Sequence, residues 1–278
     1  MAPHAQILFP PLELASCFAF AIVRDTRGRR LNPTDRLNYF PASPLVTLTI
    51  VLDGQIHMAN ALCDFDALRF SDPRPRVFVS LPQPGPIVSW SPGAVRAVAI
   101  GFFPDAWHKM GGALDNTDLP GAVEAAAEAF HLAKDADAGW TNFCRLLTEV
   151  WTESKGDASV PQWRGGARLT DWVRHILLQS AMSGPGRSVR AIERRLKRWT
   201  GHSRQALEFF AQVDHLHGLA RHAKNQTAAE IAYDGAYSDQ AHMGRAVKRA
   251  TGFSPVRLNR LIETEEAFWC YRLLSERF

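Results

Sequence analysis

Short apolar runs alternate with turn residues through the first hundred positions. The runs are Phe18 to Val23, Leu45 to Leu52, Arg76 to Leu81 and Val95 to Phe103. Between them lie Asp25 to Arg30, Asp53-Gly54 and a Pro/Gly stretch from Pro82 to Gly93, read as turns. Strands at this spacing predict a sandwich or barrel. The period changes after Phe103. Ala122 to Ala133 is alanine-rich, and Phe143, Leu146, Leu147 and Val150 recur at helical spacing within Trp140 to Trp151. Ser154 to Gly166 collects Gly, Ser, Asp and Pro and reads as a linker. From Leu169 onward almost everything reads as helix. The pattern therefore predicts an α+β chain: a β-rich domain with appended helices over 1–153, a linker over 154–166 and an all-α domain over 167–278.

The helical part contains an internal repeat. RRLKRWTGHS at 194–203 matches RAVKRATGFS at 245–254 at a constant offset of 51 residues. Arg194, Lys197, Arg198, Thr200, Gly201 and Ser203 pair with Arg245, Lys248, Arg249, Thr251, Gly252 and Ser254, and Leu207 with Leu258. Two copies of one small helical unit explain such density of identity. In the second copy Thr227-Ala228-Ala229-Glu230 spells a capping box, followed by a short helix with Ile231 and Ala232 inward. A turn falls near Gly235 to Tyr237, and Ser238 or Asp239 caps a second helix that ends at Gly252. Ser254-Pro255 opens the next helix, with proline at its first position. Two short helices around a tight turn make a helix-turn-helix.

Periodicity separates the faces of the two repeat helices. In the first, Val189, Ile192, Leu196 and Trp199 should be buried, leaving Arg190, Arg194, Arg195, Lys197 and Arg198 on the remainder. In the second, Met243 and Val247 face inward while Gln240, Arg245 and Lys248 point out, with Arg249 further round. Arg and Lys suit phosphates, and Arg and Gln suit bidentate contacts to base edges.

Charge strengthens that reading. The net charge of +4 is unevenly spread. Residues 1–150 hold 12 Lys and Arg against 15 Asp and Glu, whereas residues 151–278 hold 20 against 13. Within 187–260 the balance is 14 against 6, a basic block in an amphipathic segment that points to a polyanionic partner.

The second unit, TAAEIAYDGAYSDQAHMGRAVKRATGFSP, resembles the signature of AraC/XylS-type regulators through EIA, the aromatic-x-Asp-Gln-x-His run and KRATGFSP. The resemblance spans about 168–265 and is specific over 227–255. It implies a seven-helix DNA-binding domain with paired helix-turn-helix units joined by a long helix, here residues 204–223. It also implies that both recognition helices enter successive major-groove segments on one face of double-stranded DNA. The DNA-contacting candidates are Arg190, Arg194, Lys197 and Arg198 in the first unit and Asp239, Gln240, Arg245, Lys248 and Arg249 in the second. FFPDAWHKMGG at 102–112 resembles a small cupin-like domain that precedes such DNA-binding domains, which implies effector sensing or dimerisation by the N-terminal part. A small-molecule effector and a homodimer fit that arrangement; no cofactor follows from it.

The chain departs from the family at three points. Ala236 stands where the family carries glycine, with Gly235 one residue earlier. Gly244 sits in mid-helix, at a cost of about 1 kcal/mol relative to alanine. Only SGPGRS separates the helix 170–181 from the next, so the first unit has an abbreviated scaffold, and its stronger basic charge suits phosphate contacts.

Other chemistries find little support. Cys17, Cys63, Cys144 and Cys270 form no CxxC or zinc-finger spacing and read as free thiols of a cytoplasmic protein. His4, His57, His108 and His131 include no HxH or HxxxH pair, and His215 and His217 stand alone, so no metal site is expected. There is no GxSxG, and Gly111-Gly112 makes no phosphate loop, which argues against an enzyme. No apolar run reaches membrane-spanning length, and the N-terminus does not read as a signal peptide. Tryptophans 140, 151, 163, 172 and 199 are expected in core and interdomain seams, and the tail with Phe268, Trp269, Leu273 and Leu274 is expected to pack back. Two competing readings remain: a small-molecule-binding or enzymatic cupin-like protein whose helices are scaffold, and a non-specific architectural DNA binder.

Overall fold

The computed structural model describes residues 5–60, 62–154, 168–184, 186, 188–222 and 227–276. The predicted linker, apart from Ser154, lies outside the described residues, as do His4 and Trp163.

The N-terminal domain is β-rich. Strands β1 (Ala5–Leu8), β2 (Phe18–Asp25), β3 (Leu37–Phe40), β4 (Val46–Asp53), β5 (His57–Ala59), β6 (Val77–Ser80), β7 (Ile87–Trp90) and β8 (Arg96–Phe102) form two antiparallel sheets. The larger runs β1-β2-β8-β4-β6 and the smaller β3-β7-β5. All four apolar runs fall on strands of the larger sheet. The smaller sheet departs from the sequence pattern: β7 lies inside the Pro/Gly stretch that reads as turn. Its strands are three or four residues long and mix Asn38, Ser89 and His57 with the apolar positions, so they present no sustained run.

The long strands are largely apolar because both of their faces are covered. In β8, Ile100 pairs with Ala21 of β2 and Leu48 of β4, and all three are fully buried. This face joins one core with the helices α3 (Gly121–His131) and α4 (Ala136–Ser154), through Val123, Phe130 and Phe143. The alternate residues Thr47, Thr49, Ala97 and Ala99 turn to the opposite face, as the two-residue period requires. Two shorter helices, α1 (Phe65–Arg69) and α2 (Pro104–Lys109), complete the domain.

The C-terminal region is all-α: α5 (Leu169–Met182), α6 (Val189–Thr200), α7 (Arg204–His222), α8 (Ala228–Asp234), α9 (Gln240–Thr251), α10 (Pro255–Thr264) and α11 (Trp269–Ser275), with a 3-10 turn at Glu266–Phe268. The helix α7 joins the two repeat units, over nearly the span expected of the connecting helix. The chain thus has the expected α+β architecture, a β-rich domain followed by helices.

The two regions are tied together by buried polar contacts. The Trp172 indole donates to Asp105 Oδ1 at 2.8 Å, and the Trp269 indole to Asn38 Oδ1 at 2.6 Å. Phe103 stacks on Trp172 with centroids 5.3 Å apart. Trp151 and Trp172 are buried and Trp140 and Trp199 half-buried. The tail packs back as expected, with Phe268, Trp269, Leu273 and Leu274 all buried, and it touches β1 and β3 as well as its own domain. Among the described residues no helix is long and apolar enough to cross a membrane, and no three His, Cys, Asp or Glu side chains gather as a metal site would need.

Candidate nucleic-acid interface

The repeat in sequence is also a repeat in hydrogen bonding. Thr200 and Thr251 are both buried, and each hydroxyl donates to the carbonyl four residues back, Leu196 and Val247, at 2.8 Å. Each hydroxyl oxygen also accepts an amide two residues on, from His202 at 3.1 Å and Phe253 at 3.2 Å. The intervening glycines Gly201 and Gly252 are left-handed, with φ 73 and 83°, and their amides donate to Lys197 and Lys248 at 2.8 Å. The Thr-Gly pair thus closes both helices by the same device: threonine satisfies the last turn and glycine reverses the chain at little steric cost.

In the first unit, α5 begins where the Leu169 amide donates to Asp214 Oδ2 of α7 at 3.0 Å. This buried carboxylate fixes the unit to the connecting helix. The turn between α5 and α6 is held by Arg195, whose Nε donates to the Ser180 carbonyl at 2.9 Å and Nη2 to Gly186 at 3.0 Å. Ser188 caps α6, accepting from the Ala191 amide at 3.3 Å. Leu196 is fully buried and Ile192 and Trp199 half-buried, but Val189 is 76% exposed. Its expected burial is corrected: it is the first residue of α6, whose buried positions, Leu196 and Thr200, lie toward the other end.

In the second unit the Thr227-Glu230 capping box is formed in both directions. The Glu230 amide donates to Thr227 Oγ1 at 3.3 Å, and Glu230 Oε2 accepts the Thr227 amide at 2.6 Å. Bonds from the Thr227 amide and hydroxyl hold the Glu230 carboxyl below its ordinary pKa. Asp239 is the N-cap of α9 and accepts the His242 amide at 2.6 Å; this bond, before others from Ser238 and the charge of Arg245, lowers its pKa. His242 stays local, with Nδ1 3.1 Å from the Ser238 hydroxyl and its ring edge-on to Tyr237.

The turn keeps the register of the sequence. Ala236 itself is left-handed, at φ 58°, while Gly235 is not. Gly235 is closely packed: a Cβ there would lie 3.0 Å from the Tyr237 ring and 3.1 Å from the Ile231 carbonyl and the Leu216 side chain on α7. The glycine therefore serves close packing, and the alanine carries the strained backbone at roughly 1–2 kcal/mol.

Arg190, Arg194, Lys197 and Arg198 on α6 are all exposed, and so are Asp239, Gln240, Arg245, Lys248 and Arg249 at and along α9. Met243 is buried and Val247 half-buried beneath them. Two members have structural partners. The Asp239 carboxylate serves the cap, and the Arg249 guanidinium lies 4.2 Å from the centroid of Phe209 on α7. The sequence grouped Arg195 with the outward cations, whereas it holds the turn. Beyond these assignments, Arg24 and Glu266 pair across the two regions; a lone arginine in an apolar strand gave no sign of this. The exposed cations of each helix can meet phosphate oxygens, and Gln240 and Arg245, in the first two turns of α9, can form paired hydrogen bonds to base edges.

No protein-family model and no curated protein matches the chain. Among solved structures it is similar to ToxT from Vibrio cholerae, at 9% identity and a TM-score of 0.38, covering 80% of this chain and 93% of that one. ToxT from Vibrio cholerae O395 gives 10% identity and 0.39 over 94% of this chain and 97% of that one. The AraC-like transcriptional activator CuxR gives 12% and 0.26 over 99% and 92%.

Proposed function

We propose that this chain is a DNA-binding transcription regulator of AraC/XylS type. Its two helix-turn-helix units read successive major-groove segments through α6 and α9, and its N-terminal domain serves effector sensing or dimerisation. One observation carries the reading: two helices 51 residues apart share a Thr-Gly closure and each leaves a set of cations exposed. Within the second unit, Gln240 and Arg245 are the principal base contacts. The first contributes phosphate grip through Arg190, Arg194, Lys197 and Arg198, with Lys248 and Arg249 doing the same in the second.

Selection of bound DNA from a random pool with the full chain tests this. A long asymmetric site is expected. Recovery of unselected sequence, with binding that ignores sequence at every salt concentration, would favour the architectural reading instead. A polar pocket with clustered His and Glu would favour the enzymatic reading; the cavity between the sheets and the helical region is lined mostly by apolar side chains.

A further inference from the structure

Helix α9 carries a glycine in its second turn, Gly244. Neither usual reason for a glycine applies to it. Its backbone is helical, so no left-handed φ asks for it. Among the described residues a Cβ built there would meet nothing within 4 Å, so no neighbour needs the space. Gly252, at the end of the same helix, shows the contrast. It is left-handed at φ 83°, and a Cβ there would strike the Leu62 side chain. The internal repeat gives a second, independent sign. The positions shared by the two copies close their helices, whereas the residue 51 before Gly244 is Glu193. The unit therefore forms with a side chain at that position. Glycine is the poorest helix former apart from proline, so Gly244 weakens α9 without serving its fold.

What uses the space lies outside the protein. Gln240 and Lys248 are each one turn from Gly244, Ala241 is its neighbour across the helix surface, and all three are exposed. The side of α9 that presents Gln240 thus has a bare stretch of backbone bordered by the Ala241 methyl. The amide and carbonyl of a mid-helix residue are spent in the helical ladder, so this stretch offers a base no hydrogen bond. A polar base edge set against it would be left unpaired. The group that gains there is apolar, and in unmodified DNA the major groove presents one such group, the C5-methyl of thymine. We propose that Gly244 is a specificity-determining position. It lets α9 approach the groove floor closely and seats a thymine methyl between Gln240 and Lys248, against Ala241. This role rests on α9 being a DNA-reading helix, as proposed above, and adds a base that the helix selects.

The test uses the full chain and the DNA site it selects from a random pool. Each thymine of that site is replaced in turn by deoxyuridine, which removes only the methyl. One replacement should weaken binding ~3–10-fold, the worth of one buried methyl. Gly244→Ala fills the seat with a methyl of its own. It should bind the thymine site ~10-fold more weakly than the unaltered chain does, and should prefer the matching deoxyuridine site, inverting the preference. Its affinity for unselected DNA should stay the same, because no phosphate contact is touched. Without DNA the variant should melt ~2–4 °C higher, since alanine favours helix and meets no neighbour. Indifference to every deoxyuridine replacement, full affinity of Gly244→Ala for the thymine site, a loss shared equally by the thymine and deoxyuridine sites, or a lower melting temperature would overturn the proposal. Any of these results with a selected site in hand would defeat the thymine seat alone. A chain that selects no DNA would defeat the regulator reading, and the seat with it.

Discussion

The Ala42 amide donates to the carbonyl of Ala250 at 2.7 Å, so the β-rich domain grips the last turn of α9 through backbone. That carbonyl belongs to the helix end, where intrahelical donors run out, and the neighbouring domain supplies one. Tyr39 reinforces the seam, stacked 4.7 Å from Phe268 and edge-on to Phe253 at 5.7 Å.

Tyr39→Ala should therefore loosen the second unit from the β-rich domain and cost about 2–4 kcal/mol in chemical denaturation. A loss below ~0.5 kcal/mol, within the range of an ordinary surface change, would show that these rings do not hold the seam.

Ala236→Gly should stabilise the chain by about 1 kcal/mol, because glycine adopts the left-handed backbone without the Cβ clash that alanine bears at φ 58°. Gly235→Ala should do the opposite, since its Cβ would press on Leu216 and the Ile231 carbonyl. Thermal melting of both variants separates the two roles. Destabilisation by Ala236→Gly would mean that the turn does not carry the strain.

Arg245→Ala should weaken binding to the selected site by about 1–3 kcal/mol and relax specificity at one position. Lys197→Ala and Arg198→Ala should weaken binding to every sequence and flatten its salt dependence, as loss of a phosphate contact does. Gel-shift titration at several salt concentrations distinguishes them. Unchanged specific affinity in Arg245→Ala would refute the assignment of the reading face.

His202 gives a pH dependence. Burial lowers its pKa to about 4, its Nε2 has no partner, and its ring meets Phe210 edge-on. The unfolded chain takes up a proton near pH 6.5 that the folded chain refuses until about pH 4. Stability from this group is thus complete above pH 6.5 and is lost as pH falls through that window, on the order of 2–3 kcal/mol in all. His202→Phe keeps a ring against Phe210 and should flatten this part of the stability profile. An unaltered profile would assign the acid sensitivity elsewhere.

The parts legible in sequence were those written in a local code. Thr-Gly at both helix ends, the Thr227-Glu230 box and Ser254-Pro255 specify backbone geometry within a few residues, and each forms as read. The long strands were legible because cover on both faces makes them continuously apolar. Residues 37–40, 57–59 and 87–90 were not, because a half-polar strand of three or four residues is defined by its neighbours in space. The same reason hid Arg24, whose partner lies 242 residues away, and the inward turn of Arg195 onto Ser180. Periodicity also placed Val189 inside, since it cannot tell where along a helix the packing neighbour begins.

The helix α7, 19 residues and roughly 28 Å long, lies between the first helix-turn-helix and the helices of the second. A rod of that kind behaves as a ruler. An operator with one base pair inserted between its two halves would turn the second half away by about a tenth of a duplex turn, following the 10–10.5 bp repeat. A continuous helix does not follow such a turn. Under the proposed reading, promoters served by this chain would tolerate changes in base identity far better than changes in spacing.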